Sequence, residues 1–170
     1  AAGINGVAWD AVELPSQILE NWCWERESLD IIAEHHETGE KLPSEMIDKL
    51  LAAKNFNSAI GMLRQLEFAL FDFRMHCEYG SETFKGIKGT LTDVRSKVSV
   101  LETPEFNRFE NGFSHIFAGG YSAGYYSYKW AEVLSADAFS KFEENSIFDR
   151  ETGLEFLNCV LSKGGSAPAG

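Results

Sequence analysis

Apolar positions recur at helical spacing along most of the chain. Leu14, Ile18, Leu19 and Trp22 share one face of a helix. Its start is marked by Asp10 with Glu13 three residues on, a capping box, and by Pro15 in the first turn, where proline is best tolerated. Ser28 caps a short helix through His36 that Thr38 and Gly39 end, and Pro43-Ser44 opens another running through Ala53. From Asn57 to about Tyr79 the apolar residues Ile60, Leu63, Leu66, Phe68, Leu70, Phe71, Phe73 and Met75 lie nearly all round the helix, the pattern of a buried one. Residues 83–100 make a weaker helix, diluted by Gly86, Gly89 and β-branched residues. Residues 104–112 read as a connector to a helix from about Gly120 to Glu144, and Asp149 caps a last helix from Arg150 to Ser162. No alternating apolar–polar run exceeds a few residues and no internal repeat is visible. The predicted fold is all-α, one helical domain over residues 1–163 and a small-residue, low-complexity tail at 164–170 that is expected to fray.

Composition narrows the class of function. At 170 residues, 44% hydrophobic and 13% aromatic, the chain has the length of one domain and ample material for a core. Its net charge of −11 and its lack of a basic stripe argue against a nucleic-acid partner. No segment approaches the 18 or so uninterrupted apolar residues of a membrane span, and no signal peptide is visible, so the expected setting is cytoplasmic. Cys23, Cys77 and Cys159 are odd in number and far apart, which fits a reducing compartment with the thiols as small core residues.

The chemistry concentrates between His115 and Tyr128. A histidine leads into Ala118-Gly119-Gly120, and Tyr121, Tyr125 and Tyr128 follow at i, i+4 and i+7, one face of a helix. Tyrosine hydroxyls, with an ordinary pKa of about 10, stay protonated at neutral pH and donate hydrogen bonds. Donors aimed at one point stabilise a carbonyl that is becoming an oxyanion. A glycine loop beside them lets a peptide backbone approach. Each part alone has a plainer reading, as a structural histidine, a helix entry or core tyrosines. Glu13 has two readings as well: a cap carboxylate at a helix N-terminus, or one ligand of a metal that needs at least two more. His35 and His36 sit in a charged stretch and read as solvated, and His76 as a partly buried polar residue. No His-Glu-x-x-His pair occurs in the chain.

Taken together, residues 6–24 (GVAWDAVELPSQILENWCW) and 113–139 (FSHIFAGGYSAGYYSYKWAEVLSADAF), with LLAAKNF at 50–56 and QLEFALFD at 65–72 between them, resemble the thimet oligopeptidase / oligopeptidase A / peptidyl-dipeptidase family of zinc metallopeptidases, closest to its bacterial oligopeptidase A branch. The resemblance covers essentially the whole chain. It implies that Glu13 is the third zinc ligand, that His115 belongs to the substrate-binding glycine-rich loop with Gly119 and Gly120, and that Tyr121 contacts substrate. It further implies that Tyr125 and Tyr128 bind substrate and stabilise the tetrahedral intermediate. His115 stands one residue further from the Ala-Gly-Gly than in the mammalian members, so its role carries over less directly.

One departure bears on activity. The family's His-Glu-x-x-His helix, with two zinc ligands and the water-activating glutamate, lies upstream of the block that holds Glu13, and these 170 residues do not include it. The resemblance therefore implies the helical C-terminal portion of a zincin-type catalytic domain. Such a portion is expected to bind zinc weakly by itself, to act on short peptides only with the part carrying His-Glu-x-x-His, and to self-associate through exposed apolar surface or to have a flexible first dozen residues. The competing readings are a non-enzymatic helical interaction module and one half of a split peptidase.

Overall fold

A computed structural model of the chain describes Gly3 and residues 6–168. The described residues are helical, with a single isolated bridge between Glu34 and Lys41 and no strand among them, as predicted. They fall into two compact units. The first contains Ala1–Phe56 and Ser127–Gly170, the second Asn57–Tyr126.

In the first unit α1 (Leu14–Trp22) and α7 (Ser127–Asn145) pack on each other. Ala11, Leu14, Ile18, Phe139 and Phe142 form the core, and Trp22 sits edge-on to both phenylalanines at 4.7 and 4.9 Å. The Trp22 indole is satisfied, donating from Nε1 to the Ile147 carbonyl at 2.8 Å. The expected capping box does not form. Asp10 lies in a 3₁₀ turn (Trp9–Ala11), Glu13 is itself the cap residue, and its carboxylate accepts from the Ser16 hydroxyl at 3.0 Å. Pro15, lacking an N–H, sits within the first turn where no partner is needed, and so places the helix start at Leu14. The leading segment forms its 3₁₀ turn from Trp9, with Ala11 fully buried; residues 1, 2, 4 and 5 lie outside the described residues.

α2 (Arg26–Ile32) starts two residues before the predicted Ser28 cap. Glu25 is extended and takes the cap position, and Ser28 is buried inside the helix. It stops at Ile32, short of the predicted end, because the chain folds into the Glu34–Lys41 bridge. There the His35 N–H donates to the Glu40 carbonyl at 2.8 Å, and Gly39 supplies the left-handed residue at φ 70°. His35 and His36 are exposed as expected. α3 (Ser44–Ala53) matches its prediction. α8 (Arg150–Phe156) is capped by Asp149 as predicted, the carboxylate accepting the Thr152 N–H at 2.7 Å, and a π-helical turn (Leu157–Leu161) continues it. The tail expected to fray forms a 3₁₀ turn at Gly164–Ser166, with Gly165 close to the Gly6 carbonyl. Residues 169 and 170 lie outside the description.

The second unit is built on α4 (Ser58–Glu78) and α5 (Gly86–Val98), with a short α6 (Phe109–Gly112). Its core is Phe68, Phe71, Met75, Leu91, Phe113 and Ile116. α4 is not buried all round. One face goes into the core, while Ile60, Met62, Leu66, Leu70 and Phe73 remain exposed. The buried face also carries two carboxylates, Glu67 and Asp72. Each has partners, as burial of a charge requires: Arg95 Nε donates to Glu67 Oε1 at 2.8 Å, and Asp72 is held by the chain around Tyr125. At the other end Arg74 bridges Glu78 and Asp93, with Lys85 and Lys97 also on Asp93. Donors from Lys85, Lys97 and Arg74 hold the Asp93 carboxyl well below the usual carboxylate range, and the Glu78 and Asp93 carboxylates raise the Arg74 guanidinium.

All three cysteines are exposed and free rather than core residues. A buried thiol needs an apolar stripe position. Cys23 instead follows the end of α1, Cys77 lies on the open face of α4, and Cys159 lies in the π turn. Among the described residues no helix is long and apolar enough to cross a membrane.

Candidate functional site

The boundary between the units falls between Tyr126 and Ser127, inside the predicted tyrosine helix. α7 starts at Ser127, seven residues later than expected, and residues 121–126 form turns. Tyr121, Tyr125 and Tyr128 therefore do not share a helical face. Two left-handed residues prevent it, Gly120 at φ 84° and Ala123 at φ 53°. The Tyr125 N–H, which in a helix would seek the Tyr121 carbonyl, donates to Asp72 Oδ2 at 2.9 Å, and the Ala123 N–H donates to Asp72 Oδ1 at 2.9 Å.

In the second unit the structure brings His115, Gly119, Gly120, Tyr121 and Tyr125 together. A 3₁₀ turn (Ser114–Ile116) carries His115 on the surface with Ile116 fully buried beneath. The loop then closes on itself. Gly119 N–H donates to the Ser114 carbonyl at 2.8 Å, Tyr121 N–H to the His115 carbonyl at 2.8 Å, and Ser122 Oγ to the Ile116 carbonyl at 2.7 Å. Glycine at 119 is a steric necessity of this closure, because a Cβ there would lie 2.7 Å from the His115 Cα. Tyr121 is buried, 8% exposed, with its ring 6.0 Å from the His115 ring. Tyr125 is partly exposed. Its ring stands edge-on to Phe113 at 5.1 Å, to Phe68 at 5.8 Å and to His115 at 6.0 Å, and its hydroxyl donates to Gln65 Oε1 at 3.3 Å. An imidazole and a phenol are thus presented together on a packed aromatic base, with the exposed Gly119 and Gly120 beside them.

Glu13 and Tyr128 belong to the first unit. Tyr128 lies in the first turn of α7, partly exposed. Gln17, one turn after Glu13, donates from its own N–H to the Glu13 carbonyl at 2.9 Å and from Nε2 to the Tyr128 carbonyl at 3.0 Å. One side chain of α1 thereby ties the starts of α1 and α7 together. Among the described residues no three His, Cys, Asp or Glu side chains gather closely enough to hold a metal ion. Glu13 offers one carboxylate, where a zinc site ordinarily draws on three or four ligands.

The residue that sequence reasoning missed is Asp72. It is 1% exposed on the buried face of α4, and it takes two backbone N–H groups of the turn, those of Ala123 and Tyr125. A carboxylate inside the run FALFDF was the available signal, since burial there is costly without partners. A hollow of the second unit, about 420 Å³ lined by Ile60, Leu63, Arg64 and residues 99–104, includes none of the predicted site residues.

The family model for peptidase family M3 matches residues 1–169. Oligopeptidase A of Escherichia coli (strain K12) is 60% identical over 165 residues, 97% of this chain and 24% of the relative. The organellar oligopeptidase A, chloroplastic/mitochondrial, of Arabidopsis thaliana is 52% identical over 168 residues, 96% of this chain and 21% of the relative. The dipeptidyl carboxypeptidase of Escherichia coli (strain K12) is 35% identical over 162 residues, 92% of this chain and 23% of the relative. The chain spans about a quarter of the length of the curated relatives it matches.

Proposed function

The chain belongs to peptidase family M3, and from that premise we propose that it is the peptide-gripping and oxyanion-stabilising part of a zinc oligopeptidase, inactive by itself. The relatives' names, oligopeptidase A and dipeptidyl carboxypeptidase, support short peptides as the substrate class. The observation that carries the reading is the pairing of exposed His115 with partly exposed Tyr125 at a glycine turn built on packed aromatic rings. That is a surface suited to a peptide backbone.

Glu13 is proposed as one zinc ligand, the others coming with a His-Glu-x-x-His pair in the longer protein. Bound zinc supplies an activated water in such sites. This chain's own residues do the rest. His115, Gly119 and Gly120 hold the peptide backbone, and Tyr121 contacts it from the wall of the loop. When a nucleophile adds to the scissile carbonyl, the oxygen gains negative charge, and the Tyr128 hydroxyl donates to it, joined by the Tyr125 hydroxyl once its one proton turns from Gln65 Oε1 to the substrate. A protonated phenol meets this demand because it gives a hydrogen bond without carrying a charge that water would screen. The exposed apolar residues of α4, Ile60, Met62, Leu66, Leu70 and Phe73, support contact with the remainder of the longer protein, or self-association of the chain in its absence. Three exposed, unpaired thiols support a reducing, cytoplasmic setting.

The test is Tyr128→Phe in the longer protein. Losing one oxyanion donor is expected to lower kcat by about 10²–10³-fold with KM nearly unchanged. An unchanged kcat would remove Tyr128 from the reaction.

A further inference from the structure

We infer that Asp72 is the positioning residue of the tyrosine turn, a role that rests on the reading of Tyr125 as a substrate-facing donor. α4 carries Gln65, Phe68, Asp72 and His76 at i, i+3, i+7 and i+11, one stripe of the helix. Three of the four touch Tyr125. Gln65 Oε1 accepts from its hydroxyl at 3.3 Å, Phe68 meets its ring edge at 5.8 Å, and Asp72 Oδ2 accepts from its N–H at 2.9 Å. The same Asp72 accepts the Ala123 N–H through Oδ1 at 2.9 Å, so one carboxylate holds two N–H groups of the turn. His76 Nδ1 lies 2.9 Å from Asp72 Oδ1 and 2.9 Å from the Asp72 carbonyl oxygen. Both are acceptors, so the tautomer with a proton on Nδ1 suits this contact.

The chemistry singles out aspartate. The side chain must present two acceptors and no donor to two N–H groups two residues apart, and only a carboxylate does so. Asparagine would turn an NH₂ toward one of them. Ala123 sits at φ 53°, a conformation an alanine keeps only where its surroundings over-determine it. The charge-assisted bonds on either side of it provide that constraint. Because Tyr125 is held at its backbone and at its hydroxyl, a shift of the turn moves the phenol as a whole.

The experiment compares Asp72→Asn, Tyr125→Phe and the double variant in the longer protein, purified with its metal. Each is read by steady-state kinetics and by amide exchange of the 121–126 segment. Asp72→Asn is expected to lower kcat by about 10- to 100-fold through misplacement of a reacting group, with KM changed less than about threefold. Tyr125→Phe is expected to add less than about threefold on that background, since both changes remove one placed hydroxyl. Exchange is expected to rise at 121–126 and not in the α7 segment. Unchanged exchange at 121–126 overturns the inference whatever the kinetics, and so do losses that multiply in the double variant. If Tyr125→Phe alone leaves kcat unchanged, the role proposed for Tyr125 fails, and the exchange arm still decides Asp72. If Asp72→Asn does not fold, His76→Ala takes its place, its side chain being 29% exposed. Faster exchange at 121–126 in that variant supports the inference and unchanged exchange overturns it.

Discussion

Tyr125 and Tyr128 are three residues apart and are held by different physics. Tyr128 is placed by a regular helix: α7 starts at Ser127, and Gln17 of α1 takes the Tyr128 carbonyl at its first turn. Tyr125 is placed without a helix. A buried carboxylate on α4 catches its N–H, and the rings of Phe113 and Phe68 flank its own. Each lies in a unit with a different kind of core. The first unit is sealed by aliphatic residues with Trp22, Phe139 and Phe142, and the second by stacked phenylalanines with Glu67 and Asp72 set among them. The contrast shows that two candidate donors three residues apart can owe their positions to separate cores. Damage to either core is then expected to reach one tyrosine before the other.

The largest effect expected on that contrast comes from emptying each core in turn. Phe71 is 0% and Ile18 2% exposed. Phe71→Ala is expected to cost about 3–5 kcal/mol and Ile18→Ala about 2–5 kcal/mol. Amide exchange should rise chiefly in residues 57–126 for the first and chiefly in 6–56 and 127–168 for the second. Equal loss of protection in both units from either variant would break the comparison.

A smaller effect separates glycines inside the second unit. Gly119→Ala must displace the His115 backbone, 2.7 Å from the new Cβ, and is expected to cost about 1–3 kcal/mol. Gly61→Ala, in open space on α4, is expected to stabilise by about 0.5–1 kcal/mol. Urea midpoints of the two variants should move in opposite directions. A shared direction would mean the loop opens to admit the methyl group.

The smallest effect belongs to the first unit. Hydrogen bonds from the Thr152 hydroxyl and N–H hold the Asp149 carboxyl below its usual range. A lowered folded-state pKa contributes stability above the ordinary carboxylate value of about 3.9, and that contribution is lost as pH falls through the lowered value. Asp149→Ala should therefore destabilise slightly at neutral pH, and its difference from the unsubstituted protein should shrink on acidification below about pH 4. Urea unfolding at several pH values checks this. A gap that widens in acid would refute the capping role.

Much of this molecule was legible in the chain itself. α3, α4 and α8 with its Asp149 cap follow from helical periodicity and local capping, interactions that span a few residues and travel with the sequence. The glycine turn and the tyrosines carried the family resemblance, because chemistry of that kind leaves a dense local motif. Tertiary structure decided the rest. It chose which side of α4 is buried, since an all-round apolar pattern names no preferred face. It exposed the three cysteines. It also turned the predicted tyrosine helix into a turn, because the acceptor that outbids the helix, Asp72, lies 51 and 53 residues from the N–H groups it takes. Helix propensity is settled within a turn or two of chain. A buried carboxylate is worth enough to override it, but only folding brings that carboxylate within 2.9 Å of its donors.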